Sequence, residues 1–222
     1  MARPAAQRAP DQSGPAEGTR APRRWRRFPK APRVMDLVKA PPGSRLIRRQ
    51  YLHLDEDAEE ARFEYDGERA YMMAGASLEH NRISADISTT LNIRLRDRDC
   101  DVFQSDMRVR AGGSYTYPDV VALCGEPEVS NEDPPSLLNP ELLVEVLSPS
   151  TKERDRTWKL DRYLEIESLR ACWLVETEAP QVRQYVRNGE ASWTRHVVRD
   201  MDATLSVLGV ELALADIYHR VF

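Results

Sequence analysis

Two carboxylates stand in stretches of sequence that would otherwise be read as buried strands. Glu145 lies inside the apolar run LLVEVL (142–147), and Asp119 directly precedes the apolar run VVALC (120–124). Runs of this length and composition are typical of strands in a protein core. An ionised carboxylate in a core must find a partner or give up its charge. These two acids are therefore the first candidates for chemistry.

If the two strands are neighbours, both carboxylates can project into one small space, because adjacent strands lie roughly 5 Å apart. Two anions in that space repel each other unless a cation lies between them. Mg²⁺ suits such a site, since it binds through one or two carboxylates and keeps waters and phosphate oxygens as further ligands. Such an ion activates water and neutralises charge on a phosphodiester. The alternative is that Glu145, with Glu141 on the same face, belongs to the solvated side of an amphipathic strand.

A cluster of cations follows Glu145 in the segment TKERDRTWKLDRYLE (151–165). Its basic members are Lys152, Arg154, Arg156, Lys159 and Arg162. A metal-assisted nuclease often needs a lysine near the ion to orient water and stabilise the pentavalent phosphorus. Lys159 lies about eight residues, or roughly 12 Å, into a predicted helix, and a helix returning over the strand brings it level with Glu145. An equally good interpretation is a surface ion pair with Asp155, worth about 0.3–0.5 kcal/mol.

Periodicity and turn signals predict the elements that position these residues. Ser77 is a plausible N-cap for a helix that runs to about Arg96. Its buried stripe consists of Ile83, Ile87, Leu91 and Leu95. The other helices are predicted near 46–60, 152–166 and the C-terminus. Strands are predicted near 101–104, 107–111, 115–124, 141–148 and 171–176, with hairpins over 61–74, where Asp66-Gly67 is a two-residue turn, and around Asn188-Gly189. This order indicates a single α/β domain.

Composition places the chain among ordinary globular proteins, with 41% hydrophobic and 31% charged residues. A net charge of -4 and a pI of about 5.7 argue against a general nucleic-acid coat protein. Three widely spaced cysteines, Cys100, Cys124 and Cys172, show no zinc-binding pattern. We predict reduced, mostly buried thiols and a cytosolic, or cytoplasmic, location.

The N-terminal region differs in composition from the rest of the chain. Residues 1–33 contain eight Arg and one Lys against two acidic residues. We predict that residues 1–44 form a disordered basic tail, or that translation starts later, at Met35. A phosphate-binding arm and an Arg-rich targeting peptide are the functional alternatives. No apolar run approaches the length of a transmembrane helix, so we predict no membrane partner.

Several motifs, taken together and in this order, resemble the Uma-two family. The motifs are YPDVV (117–121), VEVLSPST (144–151), Asp155 with Lys159 and Tyr163, WLV (173–175), and, upstream, EYDG (64–67), AGAS (74–77) and HNRI (80–83). The family consists of bacterial proteins described as restriction endonucleases within the PD-(D/E)XK nuclease superfamily. The resemblance runs from about Arg48 to the C-terminus.

The resemblance implies a restriction-endonuclease-like fold over residues 45–222, with a central mixed β-sheet flanked by helices and added β-hairpins. It implies hydrolysis of DNA phosphodiester bonds with Mg²⁺, or alternatively Mn²⁺, as cofactor. Asp119 and Glu145 match the two metal-binding acids of the superfamily. The superfamily lysine would stand two residues after the second acid, where this chain has Leu147. The family is thought to supply the amine from the following helix, which selects Lys159.

The resemblance also places His80 and Glu64 where further site residues are expected, and His80 is predicted to be catalytic. The alternatives are a capping or packing role for His80 and a solvated position for Glu64. Two other functions compete with a nuclease. One is an inactive nucleic-acid-binding module on a nuclease fold, and the other is a partner-binding protein whose acids only pair with Arg or Lys. Cleavage of both DNA strands would favour a homodimer.

Overall fold

A computed structural model describes most of the chain outside its N-terminal region. The described residues are 45–58, 61–73, 75–149, 151–189 and 192–222. The predicted basic tail at residues 1–44 lies outside them. Among the helices in these ranges, none combines the length and the hydrophobicity needed to cross a membrane.

The described residues form short helices and strands in a mixed order. The helices are α1 (Arg48–Asp57), α2 (Leu78–Leu95), α3 (Lys152–Arg154), α4 (Leu160–Leu164) and α5 (Leu214–Ile217), with a π-helical turn over Asp155–Lys159 between α3 and α4. The strands are β1 (Phe63–Tyr65), β2 (Ala70–Met72), β3 (Cys100–Gln104), β4 (Val109–Ala111), β5 (Ser114–Thr116), β6 (Val120–Cys124), β7 (Leu142–Leu147), β8 (Ala171–Glu176), β9 (Val182–Arg187), β10 (Trp193–Val198), β11 (Thr204–Val207) and β12 (Val210–Ala213).

A six-stranded sheet in the order β10-β9-β8-β7-β6-β3 forms the centre of the fold. Its β7–β8 pair is parallel and its other pairs are antiparallel, so the sheet is mixed. Both faces are covered, by α2 on one side and by the helical segment 152–164 (α3, the π-helical turn and α4) on the other. The predicted α/β fold with a central mixed sheet is confirmed.

Alternation along β7 assigns its side chains to two separate cores. Val144 and Val146 pack in the cluster that contains the buried stripe of α2. Leu143 and Leu147 pack in the opposite cluster, under Tyr163 of α4. All six residues of β7 are buried, which is expected of a central strand covered on both faces. Glu145 therefore lies in a protein interior, whichever face it occupies.

Helix α2 forms as its sequence predicts. Its N-cap, Ser77, accepts a hydrogen bond on its hydroxyl from the backbone N–H of His80, over 3.2 Å. The predicted stripe is fully buried at all of its positions, Ile83, Ile87, Leu91 and Leu95. A capped helix with a four-residue apolar repeat is confirmed.

The predicted single strand over 115–124 is wrong. The chain instead forms β5 and β6, which belong to different sheets: β5 pairs with β1 and β4 in a four-stranded sheet of order β2-β1-β5-β4. Pro118 lies at the break, and it has no N–H with which to continue a strand ladder. The break leaves Asp119 at the entrance to β6, beside the central strand β7.

The two predicted hairpins form with longer turns than the sequence indicated. Tyr65 pairs with Ala70, so residues 66–69 make a four-residue turn. Asp66 Oδ1 accepts backbone N–H bonds from Glu68 and Arg69, at 2.8 and 2.7 Å, which stabilises this wider turn. In the second hairpin Arg187 pairs with Trp193, so Asn188-Gly189 opens a longer loop. The sequence interpretation also missed β11, which pairs with β12.

The prediction of reduced, mostly buried thiols is wrong for two of the three cysteines. Cys100 and Cys124 form a disulfide and are only half-buried. They lie directly opposite each other on the antiparallel strands β3 and β6, a proximity that their separation of 24 residues does not reveal. Cys172 is a buried free thiol, as predicted. Because the cytosolic prediction rested on unpaired cysteines, it loses that support.

Candidate active site

Asp119 and Glu145 face the same space between β6 and β7. The register pairs Val120 with Val144, which places Asp119 level with Glu145 across the two strands. The backbone N–H of Val146 donates a hydrogen bond of 2.7 Å to Asp119 Oδ2 and fixes that carboxylate. Both acids line one cavity of about 180 Å³. The two strands are therefore neighbours, as the expectation of a shared space required.

Glu145 is not on a solvated face. The residue is 3% exposed, and its face of β7 lies under the helical segment 152–164. Glu141, four residues earlier and just before β7, pairs instead with Arg170, at 2.6 Å between Arg170 Nε and Glu141 Oε1. The side-chain alternation along β7 was predicted correctly, but the sequence does not show that a helical segment covers the face that carries Glu145. The solvated alternative for Glu145 is wrong.

The covering segment is not the uninterrupted α-helix predicted over 152–166. Between α3 and α4 the backbone widens into the π-helical turn Asp155–Lys159. Such turns are rare and often occur at functional sites. Both ends of the turn are buried: the side chain of Asp155 is 1% exposed and that of Lys159 is 4% exposed, with 2.9 Å between Oδ1 and Nζ. The pair exists, but its interpretation as a surface pair is wrong.

The Lys159 ammonium is surrounded by three carboxylates from three different elements. Its Nζ lies 2.7 Å from Glu64 Oε1 on β1, 2.9 Å from Asp155 Oδ1 and 3.2 Å from Glu145 Oε1. Glu64 is 2% exposed, so its predicted alternative as a solvated residue is also wrong. The geometry brings Lys159, Glu145 and Glu64 together, as both the helix-return argument and the family resemblance anticipated.

Two tyrosines hold the carboxylates of this cluster in place. The Tyr163 hydroxyl donates a 2.5 Å hydrogen bond to Glu145 Oε1. The Tyr117 backbone N–H lies 3.3 Å from Glu64 Oε1 and donates to it, while the Tyr117 hydroxyl donates to Asp55 Oδ2. Asp55 is in turn paired with the buried Arg108, at 2.9 Å. Tyr163 therefore links the cluster to α4, and Tyr117 links it to the buried ion pair of Asp55 and Arg108.

Sequence reasoning did not identify Asp155 and Tyr163 as members of the site. A signal was present, because Asp155, Lys159 and Tyr163 recur every four residues and so share one face of a helix. Asp155 was considered only as a surface partner of Lys159, and Tyr163 only as an apolar contact and a family motif residue. Burial of that face converts both into polar members of the cluster.

The cluster carries an excess of negative charge. Burial raises the pKa of Glu145 well above its ordinary value, and the nearby Asp155, Asp119 and Glu64 raise it further, although Lys159 opposes them. Burial lowers the pKa of Lys159, but Glu145, Glu64 and Asp155 outweigh it, and the net shift is well upwards. One ammonium cannot neutralise three carboxylates, so Lys159 keeps its proton while Glu145 is the acid pushed upwards. A further cation would be favoured here.

His80 lies at the Asp119 side of the cavity. Its Nε2 is 3.3 Å from Asp119 Oδ2, and its side chain is 13% exposed. Burial lowers the His80 pKa, but the hydrogen bond and charge of Asp119 outweigh it, and the net shift is upwards. The cap of α2 is made by Ser77, with His80 contributing only its backbone N–H. The side chain therefore contacts Asp119 rather than capping the helix.

The donor set of the cavity fits a hard divalent ion with few protein ligands. Across the described ranges, no group of three or more His, Cys, Asp or Glu side chains is arranged to hold a metal ion. Asp119 and Glu145 supply two carboxylates, which is the number that Mg²⁺ commonly takes from protein when waters and substrate phosphate complete its shell. Oxygen donors of this kind suit Mg²⁺ or Mn²⁺ rather than softer metals.

Glu176 anchors the helical segment 152–164 to the central sheet. Its carboxylate on β8 pairs with Lys152 at 3.1 Å, with Arg183 at 2.5 Å, and with Arg156. Burial raises the Glu176 pKa, but hydrogen bonds from Lys152 and Arg156 outweigh it, and the net shift is downwards. This anchor helps to keep the Lys159 turn above Glu145.

We expect Glu176→Gln to lower the free energy of unfolding at pH 7 by about 1–3 kcal/mol, because three half-buried cations lose their shared carboxylate. A carboxyl with a lowered pKa stabilises the fold above its unfolded pKa, and this is lost as pH falls through the folded value. The difference in free energy of unfolding between the wild type and Glu176→Gln should therefore shrink below about pH 4, as measured by urea unfolding. Glu178→Gln is the matched control, because the Glu178 side chain is 68% exposed and, among the described residues, its ion-pair partner is Lys152. A deficit that is equal at neutral and acidic pH would contradict the ionic anchor.

The family of the chain follows from comparison with known proteins. Residues 48–215 match the model of the Uma2 family, which is described as "Putative restriction endonuclease". The chain belongs to the Uma2 family. The match covers both strand acids, the π-helical turn and β1, so every residue of the cluster lies within the Uma2 region. The resemblance inferred from the sequence motifs is confirmed.

Two relatives from Synechocystis sp. extend the Uma2 comparison. "Uncharacterized protein sll1609" is 33% identical over 150 residues, which cover 67% of this chain and 84% of the relative. "Uncharacterized protein slr1290" is 31% identical over 154 residues, which cover 68% of this chain and 80% of the relative. Neither name states an activity.

A solved structure shares the fold of this Uma2 chain. It is the crystal structure of "a putative nuclease belonging to DUF820" from Anabaena variabilis, with a TM-score of 0.66 and 18% identity. The match covers 80% of this chain and 99% of that chain. At this identity the likeness concerns the fold alone, which is nuclease-like.

Proposed function

We propose that this Uma2 protein is a metal-dependent endonuclease that hydrolyses DNA phosphodiester bonds. The observation that carries the proposal is the position of the Lys159 ammonium, 3.2 Å from Glu145 Oε1, beside a cavity that Glu145 shares with Asp119. Two acids and one amine on neighbouring elements are the groups that phosphodiester hydrolysis needs from the protein.

The replacement of the superfamily lysine by Leu147 is compatible with this proposal. Leu147 is fully buried in the core beneath α4, on the same face of β7 as Glu145. That face is covered by the helical segment 152–164, from which Lys159 reaches Glu145. The amine therefore comes from the covering helix rather than from the strand. The amine comes from a different position in the sequence, but Lys159 Nζ still lies within ion-pair distance of Glu145 Oε1.

Five residues of the site have roles in the proposed reaction. Asp119 and Glu145 would hold Mg²⁺ or Mn²⁺, which when bound supplies an activated water and a counter-charge for the phosphate. The Lys159 ammonium would stabilise charge on the phosphate as the bond to the leaving oxygen breaks. Tyr163 keeps the Glu145 carboxylate oriented, and Glu64 keeps the ammonium in place.

His80 supports Asp119 in this proposal. Its contact with Asp119 Oδ2 and the Val146 N–H bond together restrict the rotation of that carboxylate. A carboxylate restrained in this way would lose less side-chain entropy when it binds an ion through its other oxygen. The homodimer and the cytoplasmic location predicted from the sequence stay predictions.

Metal titration by calorimetry tests the proposed cofactor site. We expect the wild-type protein to bind Mg²⁺ or Mn²⁺, and we expect Asp119→Ala to lose that binding because one of two protein ligands is gone. Asp106→Ala is the matched control, because Asp106 is an exposed carboxylate whose side chain pairs only with Arg62 among the described contacts. Equal heats of binding for wild type and Asp119→Ala would contradict the assignment.

A further inference from the structure

We propose that Arg154 binds a backbone phosphate of the DNA substrate at the mouth of the acidic cavity. This inference rests on the proposed nuclease function and adds a substrate contact to it. Arg154 lines the same cavity as Asp119 and Glu145, and its side chain is half-buried there. Among the described residues that line the cavity, Arg154 is an arginine without a carboxylate partner, so it is available to an incoming anion.

The other cations of the segment 151–165 are already paired with acids. Lys152 and Arg156 contact Glu176, Arg162 contacts Glu165, and Lys159 contacts the carboxylates of the cluster. Arg154 differs from them, because among the described residues no carboxylate lies within ion-pair distance of its guanidinium. If Arg154 and these acids belonged only to a solvated surface, Arg154 would be expected to pair with one of the acids.

The Arg154 guanidinium is nevertheless held in a defined place. It lies over the ring of Tyr71 on β2, 5.1 Å from the ring centroid. Tyr71 is itself fixed, because its hydroxyl donates a 2.7 Å hydrogen bond to Asp66 and its ring stacks on Trp158 at 6.1 Å. A guanidinium on an aromatic face keeps its N–H donors free at its edges. Those donors can form the two-point contact that a phosphate accepts from arginine.

A contact from Arg154 would offset the electrostatic repulsion between the acidic cavity and DNA. A DNA phosphate approaching the cavity meets the carboxylates that line it, Glu64, Asp119 and Glu145, whose charges repel it. The Lys159 ammonium is buried and shared among carboxylates, so it offers little attraction at the entrance. Arg154 supplies attraction there, and it would hold the phosphate next to the one that is cut. The residue is a binding residue for substrate, distinct from the acid pair and the lysine.

Binding of a labelled duplex oligonucleotide, measured by fluorescence anisotropy across a salt series, tests this proposal. All proteins carry Glu145→Gln, so that Mg²⁺ can be present without cleavage. We expect Arg154→Gln to bind about tenfold more weakly, as for the loss of a charged hydrogen bond. The slope of log K against log salt should also fall by about 0.9, the value for one duplex phosphate contact. Arg154→Lys should keep most of the slope because it keeps the charge.

Arg162→Gln is the matched control, because Arg162 belongs to the same segment but pairs with Glu165 outside the cavity. Its affinity and slope should equal those of the parent. Tyr71→Ala should weaken binding in the direction of Arg154→Gln, whereas Tyr71→Phe keeps the ring and should not. Far-ultraviolet circular dichroism confirms that each variant is folded.

An Arg154→Gln protein with the affinity and salt slope of its parent would overturn the inference. The proposed nuclease function would stand in that case if the chain with native Glu145 cuts DNA. A parent that binds no duplex DNA would overturn the inference as well. The nuclease function itself fails only if the wild-type chain, assayed in parallel, leaves DNA uncut.

Discussion

Replacing Lys159 with methionine is expected to lower the rate of DNA cleavage by about 10²–10³-fold and to destabilise the fold by about 3–5 kcal/mol at pH 7. Methionine keeps most of the side-chain volume and removes the charge. The rate falls because the phosphate loses a preorganised positive charge. Stability falls because Glu64, Asp155 and Glu145 are left buried with no counter-charge.

The pH dependence of this loss of stability identifies its cause. A lysine with a raised pKa stabilises the fold fully below its unfolded pKa of 10.5, and this is lost only as pH rises through the folded value. The contribution of Lys159 is therefore complete at pH 7. The loss of stability in Lys159→Met should shrink at acidic pH, where Glu145, whose pKa is raised, gains a proton. Urea unfolding at about pH 7 and about pH 5 measures both effects.

Lys152→Met is the matched control for this variant. Lys152 lies seven residues before Lys159 on the same helical segment, but its ammonium contacts Glu176 and Glu178 and its side chain is 29% exposed. We expect a loss of stability of about 1 kcal/mol or less and no change in the cleavage rate. Equal effects of the two methionine variants on cleavage would show that a general loss of positive charge, not Lys159, matters.

Replacing Glu145 with glutamine is expected to reduce cleavage by about 10³-fold or more while leaving the fold as stable as the wild type, or more stable by about 1 kcal/mol. Glutamine is isosteric and can still accept hydrogen bonds from Tyr163 and Lys159 on its Oε1. It cannot bind a metal ion as a carboxylate does. It also removes one of the negative charges that the single ammonium fails to neutralise.

The sign of the stability change follows from the raised pKa of Glu145. A carboxyl whose folded pKa is raised stabilises the fold below its unfolded value of 4.5, and this contribution is lost as pH rises through the folded pKa. The wild type therefore loses stability over that range, and Glu145→Gln does not. The stability advantage of the variant over the wild type should grow as pH rises above about 4.5 in urea unfolding curves.

The two variants separate a functional cluster from a purely structural one. If the acids and Lys159 served only to hold the fold together, both substitutions would break an ion pair and both would destabilise the protein. Loss of stability in Lys159→Met but not in Glu145→Gln, together with loss of cleavage in both, would indicate that the excess acid is kept for a bound cation. A Glu145→Gln protein that is destabilised by as much as Lys159→Met would contradict that conclusion.

Local patterns predicted much of the fold because local physics decides it. The cap at Ser77 and the four-residue repeat of α2 depend on contacts within one helix. The acid pair was predictable because strand alternation and neighbouring strands leave few places for Asp119 and Glu145. The helix-return argument and the family motifs both pointed to Lys159 as the cation near Glu145.

Features that depend on contacts distant in sequence were missed. Pairing of Cys100 with Cys124 needs β3 and β6 to be neighbours in register. The break at Pro118 separates two sheets, which composition alone cannot show for a run as strand-like as 115–124. The π-helical turn and the burial of Asp155 depend on how the helical segment seats over β7, and no local propensity encodes that.

Cleavage of supercoiled plasmid by the purified wild-type protein tests the central proposal most directly. The reactions contain Mg²⁺ or EDTA, with Asp119→Asn, Glu145→Gln and Lys159→Met purified in the same way. We expect nicked or linear DNA from the wild type in Mg²⁺ alone, and at most traces from the three variants. Intact plasmid with the wild type in Mg²⁺ and in Mn²⁺, or equal cleavage by the wild type and the variants, would contradict a nuclease site at Asp119, Glu145 and Lys159.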